Sequence, residues 1–425
     1  MRDESGDLAV VANASRAADR AADLIANALI AAAGARGRAD WVTTGGSTPA
    51  GIYDRLAAPP QADRIPWGDI HVWWGDDRYV LPDDPRSNVR PLVEHLLAVG
   101  VPLPSANVHP FRGLPSGETD PGIDAAAAAT AADLRAARLD ENVGVPIVDL
   151  VLLGVGPDGH ILSVFPGSPA LTSPSLAMAI PAPTHVEPHV ARVTLNPAIV
   201  AAARAVVAVV TGAGKASVLA DILGSSIDPA RWPAQLARRP GTTWIMDAAA
   251  AGLRRADAGG VATDAAAVSD LWLTTFRATY SFPPAHPDDT VRSWLAAEIE
   301  APTRETWLAV GPGAAIVGLM ILGPATVEQL YVHPDQQGRG IGSRLMSLAR
   351  DRRPDGLELY TFEVNERARA FYRRRGFNEI AFGDGSANEE RQPDVRMAWR
   401  PPDGQRAEDA RRERDARPAM EIDAG

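Results

Sequence analysis

The chain has 425 residues, 46% of them apolar and 22% charged, with a formal net charge of −11 and no cysteine. That length exceeds one ordinary core and predicts two or three domains of soluble globular type. Lack of cysteine excludes disulfides, thiol nucleophiles and thiolate metal sites, and the acidic balance argues against nucleic-acid binding, which needs a basic face. The start, Met1 to Asp7, is acidic and leads into no signal-type apolar core, and no apolar run is long enough for a membrane span. A cytoplasmic enzyme is expected.

In chain order, Ser15 to Ala33 carries Leu24, Ile25, Leu29 and Ile30 at helical spacing. Trp41 to Thr44 reads as a strand that runs into Gly45-Gly46-Ser47-Thr48-Pro49 and then a helix from Ala50 to Leu56. Ser47 or Thr48 is expected to cap that helix, whose free amides suit a phosphate. Ile70 to Trp74 is the next strand, entering Gly75-Asp76-Asp77-Arg78-Tyr79-Val80 and a polar loop that holds Pro82, Ser87 and Asn88. The apolar run Val148 to Leu153 precedes the turn Gly154 to Gly167, in which Asp158 and His160 stand two residues apart. A histidine there can work as a base near neutral pH, with a carboxylate to orient it. The strand Ala205 to Val210 leads into Thr211-Gly212-Ala213-Gly214-Lys215. Lys215 is the only lysine in a chain whose other 41 Lys+Arg members are arginine. A compact ammonium on a glycine turn is suited to a phosphate or sugar oxygen.

Strands alternating with helices, each strand followed by a polar turn, predict a mostly parallel α/β/α sandwich. Pro233 to Leu236, a strand Thr243 to Asp247 and an Ala-rich helix close this part near residue 250, giving a first domain over 1–250. The pattern then changes. Leu253 to Asp257 reads as a new first strand and Asp264 to Thr275 as a helix. Trp307–Val310, Ala315–Leu322 and Thr326–Val332 are closely spaced strands with Gly/Pro turns. They predict a second α/β domain over 253–400 with a mostly antiparallel sheet. Residues 401–425 are dominated by charge and are expected to form a disordered tail.

Five stretches in order resemble the 6-phosphogluconolactonase family over about residues 8–250: Thr44 to Pro49, Asp76 to Pro82 with Ser87-Asn88, Gly154 to Gly167, Thr211 to Lys215, and Pro233 to Leu236. The resemblance implies a Rossmann-like fold and hydrolysis of 6-phospho-D-glucono-1,5-lactone to 6-phosphogluconate, without a metal or cofactor. It implies His160 as the general base, Asp158 as its partner, and a phosphate held by Gly46, Ser47, Thr48, Arg78 and Lys215. Arg192 is a further candidate for the anion, and Arg78 has the competing role of pairing with Asp76 or Asp77. His185 and His189 are expected to be solvent-exposed rather than catalytic.

Glucosamine-6-phosphate deaminase/isomerase is the confusable relative. It carries a Glu after the turn where this chain has Phe165. Ile161-Leu162 departs from the lactonase Thr-Ala, and Asp76-Asp77-Arg78 from Asp-Glu-Arg. Ile161 matches the deaminase pattern and keeps that alternative open.

Residues 253–400 resemble the GNAT acetyltransferase superfamily. Gln337-x-x-Gly340-x-Gly342, after the strand ending at Val332 and before a helix over Ser343 to Arg350, resembles its pyrophosphate loop. Val364 to Phe377 resembles its second signature. Val332, Gln337, Gly338, Arg339, Gly340, Ile341, Gly342 and Asn365 are thereby expected to hold acetyl-CoA. Tyr372 would protonate the departing thiolate, and Glu328 would accept a proton from an unknown amine. A degenerate, acetyl-CoA-sensing domain that regulates the first is the alternative.

Overall fold

The computed structural model describes residues 6–81, 83–112, 120–256 and 261–401. The charged tail expected from residue 401 onward lies outside them, apart from Pro401. Two compact units divide at Gly252/Leu253.

The first unit is built on a seven-stranded sheet. Its spatial order is Asp7–Val11, Thr242–Asp247, Ala205–Val210, Leu150–Gly154, Ala39–Thr43, Ile70–Trp74 and Val108–His109, with every neighbouring pair parallel. The strand Ala39–Thr43 is buried throughout, and Leu150–Gly154 and Ala205–Val210 nearly so. Continuous apolar runs of this kind mark parallel strands covered on both faces. The longest covering helix, Ala14–Arg36, starts where the Asn13 side chain accepts from the Arg16 amide at 3.0 Å and ends at Gly37, whose φ is 69°. Its alanines let the backbone lie close to the sheet while Ile25 and Leu29 fill the core.

Chain direction across the sheet reverses between Ala39–Thr43 and Leu150–Gly154. From the first of these the chain winds outward through Ile70–Trp74 to Val108–His109. From the second it winds the other way. Open α/β sheets take their ligands at the carboxyl ends of strands beside such a reversal. Here the parallel register Trp41↔Leu150 and Val42↔Val151 sets the turns after Thr43 and Gly154 side by side. The pairing of Ala205–Val210 with Leu150–Gly154 adds the turn that ends in Lys215. A smaller antiparallel sheet of Asp76–Arg78, Arg192–Leu195 and Ala177–Ile180 accompanies them.

Two local readings are corrected. The helix after Gly46 begins at Ser47, three residues before the expected Ala50, and its cap is Gly46 at φ 94°. Thr48 therefore lies inside the first turn rather than capping it, and the Ser47 side chain is outside the described set. The Ala-rich helix expected near residue 250 is a turn, Ala248–Gly252. Asp247 ends the last strand, accepts from the Ala250 amide at 2.8 Å, and Gly252 at φ 70° sends the chain onward before a helix can propagate.

The second unit carries a sheet in the order Leu253–Arg255, Glu305–Val310, Ile316–Leu322, Thr326–Val332, Leu357–Phe362, Asp394–Trp399 and Asn378–Gly383. All pairs are antiparallel except Thr326–Val332 with Leu357–Phe362. That parallel pair is joined only at Thr326↔Glu358 and Val327↔Leu359. The helices Val261–Thr279 and Asp288–Glu300 supply Leu271, Phe276 and Leu295 to a core shared with Leu308, Leu319 and Ile321.

Candidate functional site

The turn after Leu150–Gly154 is shaped by an imidazole lying against a backbone. A Cβ on Gly156 would sit 2.0 Å from His160 Nδ1, so only glycine lets the ring lie there. The Gly156 amide donates to the His160 carbonyl at 2.8 Å, and Gly159, at φ 81°, closes the loop. His160 Nδ1 is 2.5 Å from Asp158 Oδ1. Because a carboxylate only accepts, the proton between them belongs to Nδ1, which leaves Nε2 as the free base nitrogen.

Asp158 takes a second histidine. His185 Nε2 stands 2.9 Å from Asp158 Oδ2, although its side chain is 54% exposed. His185 is exposed, as expected, and in addition it reaches the Asp158 carboxylate. Its partner lies 27 residues earlier in the chain, and no spacing rule links the two. His189, exposed as expected, pairs with Glu187 at 3.0 Å. Burial pushes the Asp158 carboxyl up, but the His160 and His185 hydrogen bonds outweigh it and hold the group well below the ordinary carboxylate range.

Phe165 joins these groups physically. Its ring centroid is 4.6 Å from that of His160 and 5.6 Å from that of His185, and the Arg192 guanidinium carbon lies 5.3 Å from it. Arg192 is opposite Arg78 in the antiparallel register. Arg78 does not take up Asp76 or Asp77 with its guanidinium; Nη1 donates to the Arg86 carbonyl at 2.7 Å. Arg192 donates from Nη2 to the Pro188 carbonyl at 3.2 Å and is only 2% exposed. Both arginines keep a buried Nε–H without a hydrogen-bond partner. Two adjacent guanidiniums with unspent donors make a site for an anion. Lys215 approaches from the neighbouring turn, its Nζ donating to the Val155 carbonyl at 2.8 Å; burial lowers its pKa and the Asp158 charge raises it.

The residues behind the site are buried and hydrogen-bonded, except that the Asn88 Oδ1 has no partner. Asp77 is fully buried and accepts from the Asn88 amide at 2.6 Å, the Arg78 amide at 2.7 Å and the Ser87 hydroxyl at 3.2 Å. Burial nevertheless pushes its carboxyl up to about 7, the nearby Asp76 adding to the rise. Asp76 accepts from the Ser163 hydroxyl at 2.5 Å. Ile161 and Leu162 are core residues, 0% and 7% exposed, and Leu162 lies over Gly75, where a Cβ would meet its Cδ2 at 2.5 Å. Leu162 holds φ at 53°, a conformation that costs about 1 kcal/mol in a side-chain-bearing residue.

In the second unit, Gly338 and Gly340 have φ of 81° and 77°, and Gly340 caps the helix Ile341–Arg352 without a side chain. Gln337 Nε2 donates to the Val332 carbonyl at 3.0 Å, fixing the loop to the strand it leaves. Arg339 is exposed and Ile341 buried. Gly342 lies against the Phe371 ring, 3.1 Å from where its Cβ would be. Asn365 has both ends engaged: Oδ1 accepts from the Ala368 amide at 3.0 Å, and Nδ2 donates to the Tyr280 hydroxyl at 2.9 Å. Tyr372 is 8% exposed, and its phenol is raised by burial and by the Tyr280 phenol against an opposing Arg375. Glu328 is not brought to Tyr372 by any described contact. It is exposed, accepts from Thr326 at 2.6 Å and pairs with Arg304 at 3.2 Å.

A family model described as glucosamine-6-phosphate isomerases/6-phosphogluconolactonase matches residues 12–245. The chain belongs to that family. Within the isomerase/lactonase family it is 36% identical to the 6-phosphogluconolactonase of Streptomyces coelicolor over 236 residues, 55% of this chain and 89% of that protein. It is 37% identical to the 6-phosphogluconolactonase of Mycobacterium tuberculosis over 228 residues, 53% of this chain and 90% of that protein. Among solved structures, the 6-phosphogluconolactonase from Trypanosoma brucei superposes with a TM-score of 0.52 at 28% identity, covering 58% of this chain and 97% of that one. Residues 302–379 match an acetyltransferase (GNAT) domain. Among the described residues no helix is long and apolar enough to cross a membrane.

Two outcomes follow. Gly156→Ala forces the imidazole off its seat, so kcat for the reaction of the first unit is expected to fall at least about 100-fold, with a thermal midpoint within a few degrees of wild type. Equal losses of activity and folded protein would refute that. Asp77, whose folded pKa lies above its ordinary value, favours the folded state less and less as pH rises from about 4 to 7. Asp77→Asn removes that loss, so its melting midpoint relative to wild type is expected to climb between pH 5 and 7.5, by on the order of 2 kcal/mol of stability.

Proposed function

We propose that the first unit hydrolyses 6-phospho-D-glucono-1,5-lactone to 6-phosphogluconate, with His160 as the general base. The observation that supports this best is the Asp158–His160 pair, seated on Gly156 at the sheet's reversal point beside two arginines with unspent donors. Relatives sharing over a third of their residues along most of their length carry the lactonase name.

In this reading His160 Nε2 takes a proton from water as the water oxygen bonds to the lactone carbonyl carbon. Asp158, held ionised, stabilises the imidazolium that forms. Amides of the glycine turn receive the developing oxyanion. The bond to the ring oxygen then breaks, and His160 returns its proton to that oxygen, leaving a hydroxyl and a carboxyl group. The 6-phosphate lies against Gly46, Ser47 and Thr48 at the amino end of their helix, with Arg78, Arg192 and Lys215 supplying positive charge. No step calls for a metal. Phe165 favours this reading over ring-opening deamination. The residue packed against His160 is an aromatic ring that cannot share a proton, where the deaminase resemblance calls for a carboxylate.

For the second unit we propose acetyl-CoA-dependent N-acetylation of an amine acceptor. The loop Val332, Gln337, Gly338, Arg339, Gly340, Ile341 and Gly342 fits a pyrophosphate, because positive φ at Gly338 and Gly340 turns amides outward at a helix start left uncapped by any side chain. Acetyl-CoA supplies the acetyl group when bound. Tyr372 would give a proton to the departing sulfur, and its burial, which keeps the phenol protonated, supports that role. Asn365, engaged with Tyr280 and the helix amide, shapes the wall beside it. Glu328 would reach an acceptor amine only by leaving Arg304.

Lactonase turnover is expected above the spontaneous rate, measured by 6-phosphogluconate formation from freshly generated lactone. His160→Ala should lower kcat by about 10²–10⁴-fold with little change in KM. Turnover of glucosamine-6-phosphate in place of the lactone would overturn the assignment. For the second unit, titration with acetyl-CoA should show saturable binding. Gly340→Asp, which strains φ and puts a carboxylate at the loop, is expected to weaken it at least tenfold; unchanged affinity would remove the loop from the binding site.

A further inference from the structure

We propose that His185 is a positioning residue of the lactonase site, which moderates the basicity of His160 by sharing the Asp158 carboxylate. The inference rests on the reading of His160 as the base. Asp158 is bracketed by two imidazoles, Nδ1 of His160 on Oδ1 at 2.5 Å and Nε2 of His185 on Oδ2 at 2.9 Å. Both nitrogens must donate, so one carboxylate charge is divided between two rings. Phe165 packs against both, its ring tilted at 4.6 Å from His160 and edge-on to His185 at 5.6 Å, which holds the three rings as one packed cluster. His160 is enclosed, with a side chain 12% exposed, whereas His185 stands at the surface with 54% exposed. The outer ring therefore meets solvent protons directly, while the inner ring meets them through the substrate site.

The charge environment of His185 is mixed. Asp158 and His160 face it from the turn. Glu187 and His189 lie in its own loop and are paired with each other at 3.0 Å. Arg192 on the following strand and Lys215 on the neighbouring turn both interact with Asp158 electrostatically. Asp158 is thus an anion shared by His160, His185, Arg192 and Lys215, while Arg192 also feels Asp76, more strongly than Asp158, and the opposing charge of Arg78. A neutral His185 spends one oxygen's lone pair and lessens the pull of Asp158 on a proton at His160. A protonated His185 opposes a second imidazolium outright, since like charges on one carboxylate repel. Either way, the acid side of the activity profile is held lower than Asp158 alone would set it.

The test is the pH dependence of kcat/KM for lactone hydrolysis in the full chain, comparing wild type, His185→Ala and His185→Gln. His185→Ala frees Asp158 Oδ2, so the acid limb should move to higher pH by about half to one unit. Below the limb, activity should fall about 3- to 10-fold, with the plateau kcat within twofold and KM unchanged. His185→Gln restores a neutral amide donor and should return the limb towards wild type. An unmoved limb in His185→Ala overturns the proposal. So does a rise in KM without a limb shift, which would make His185 a substrate contact, or a glutamine variant that behaves like alanine. His160→Ala, run alongside, separates the two readings: retained turnover there would remove the base itself, whatever His185 does. His185 is exposed, so loss of folded protein, read by circular dichroism, is not expected to obscure the comparison of its two variants.

Discussion

The first unit depends on a single steric fact: the imidazole of His160 occupies the space that a side chain on residue 156 would need. That contact requires the two-residue approach of Asp158 to Nδ1, and so fixes which nitrogen bears the proton. It also requires a strand that ends just before Gly156 and neighbours on both sides whose turns reach the same edge. The parallel pairing of Ala39–Thr43 and Ala205–Val210 with Leu150–Gly154 supplies them. Secondary structure, sheet order and proton placement are therefore one connected constraint. The apolar strands can be varied in their detail as long as the three turns stay level.

Around this contact the polar groups fall into two kinds. Asp76, Asp77, Ser87, Ser163 and Asn88 are buried and bond mainly to one another and to backbone amides. They form a hydrogen-bonded floor in which the Asn88 Oδ1 alone of these five side chains is left without a partner, and each further group left unpaired would cost about 1–3 kcal/mol. Arg78 and Arg192 instead keep donors unspent, a burden that a rigid floor can hold and that an incoming anion relieves. The second unit uses glycine differently. Its positive-φ positions open a helix start instead of seating a side chain, and the adjoining parallel strands part after two residue pairs.

Much of this was legible in the residues because local patterns set it. Unbroken apolar runs marked the parallel strands, glycine clusters after them marked the turns, and the change to short strands with Gly/Pro turns after residue 253 marked the second sheet. Asp158, His160 and Lys215 were readable because each sits in its turn, and the turns are brought together by strand order. His185 was not. It reaches Asp158 from an irregular loop whose path depends on the small antiparallel sheet, and no periodicity encodes that path. The partner of Glu328 was hidden for a related reason: its place on a strand was evident, but its pairing with Arg304 arises from a turn outside that strand. The alanines at 248–251 suited a helix by propensity, yet Asp247 and Gly252 left only one turn's length for it.

Lys215 has one more consequence. In a chain whose other Lys+Arg members are all arginine, it offers the one side-chain primary amine. That amine is half-buried and tied to the carbonyl of Val155, one residue before the glycine that seats His160. Amine-selective reagents thus meet a protein with a single side-chain address, apart from the α-amino group, and that address lies at the candidate site. An acylating label or a lysine-directed cross-linker would become a gauge of whether the anion pocket is filled, with no residue replaced and no competing lysine to silence.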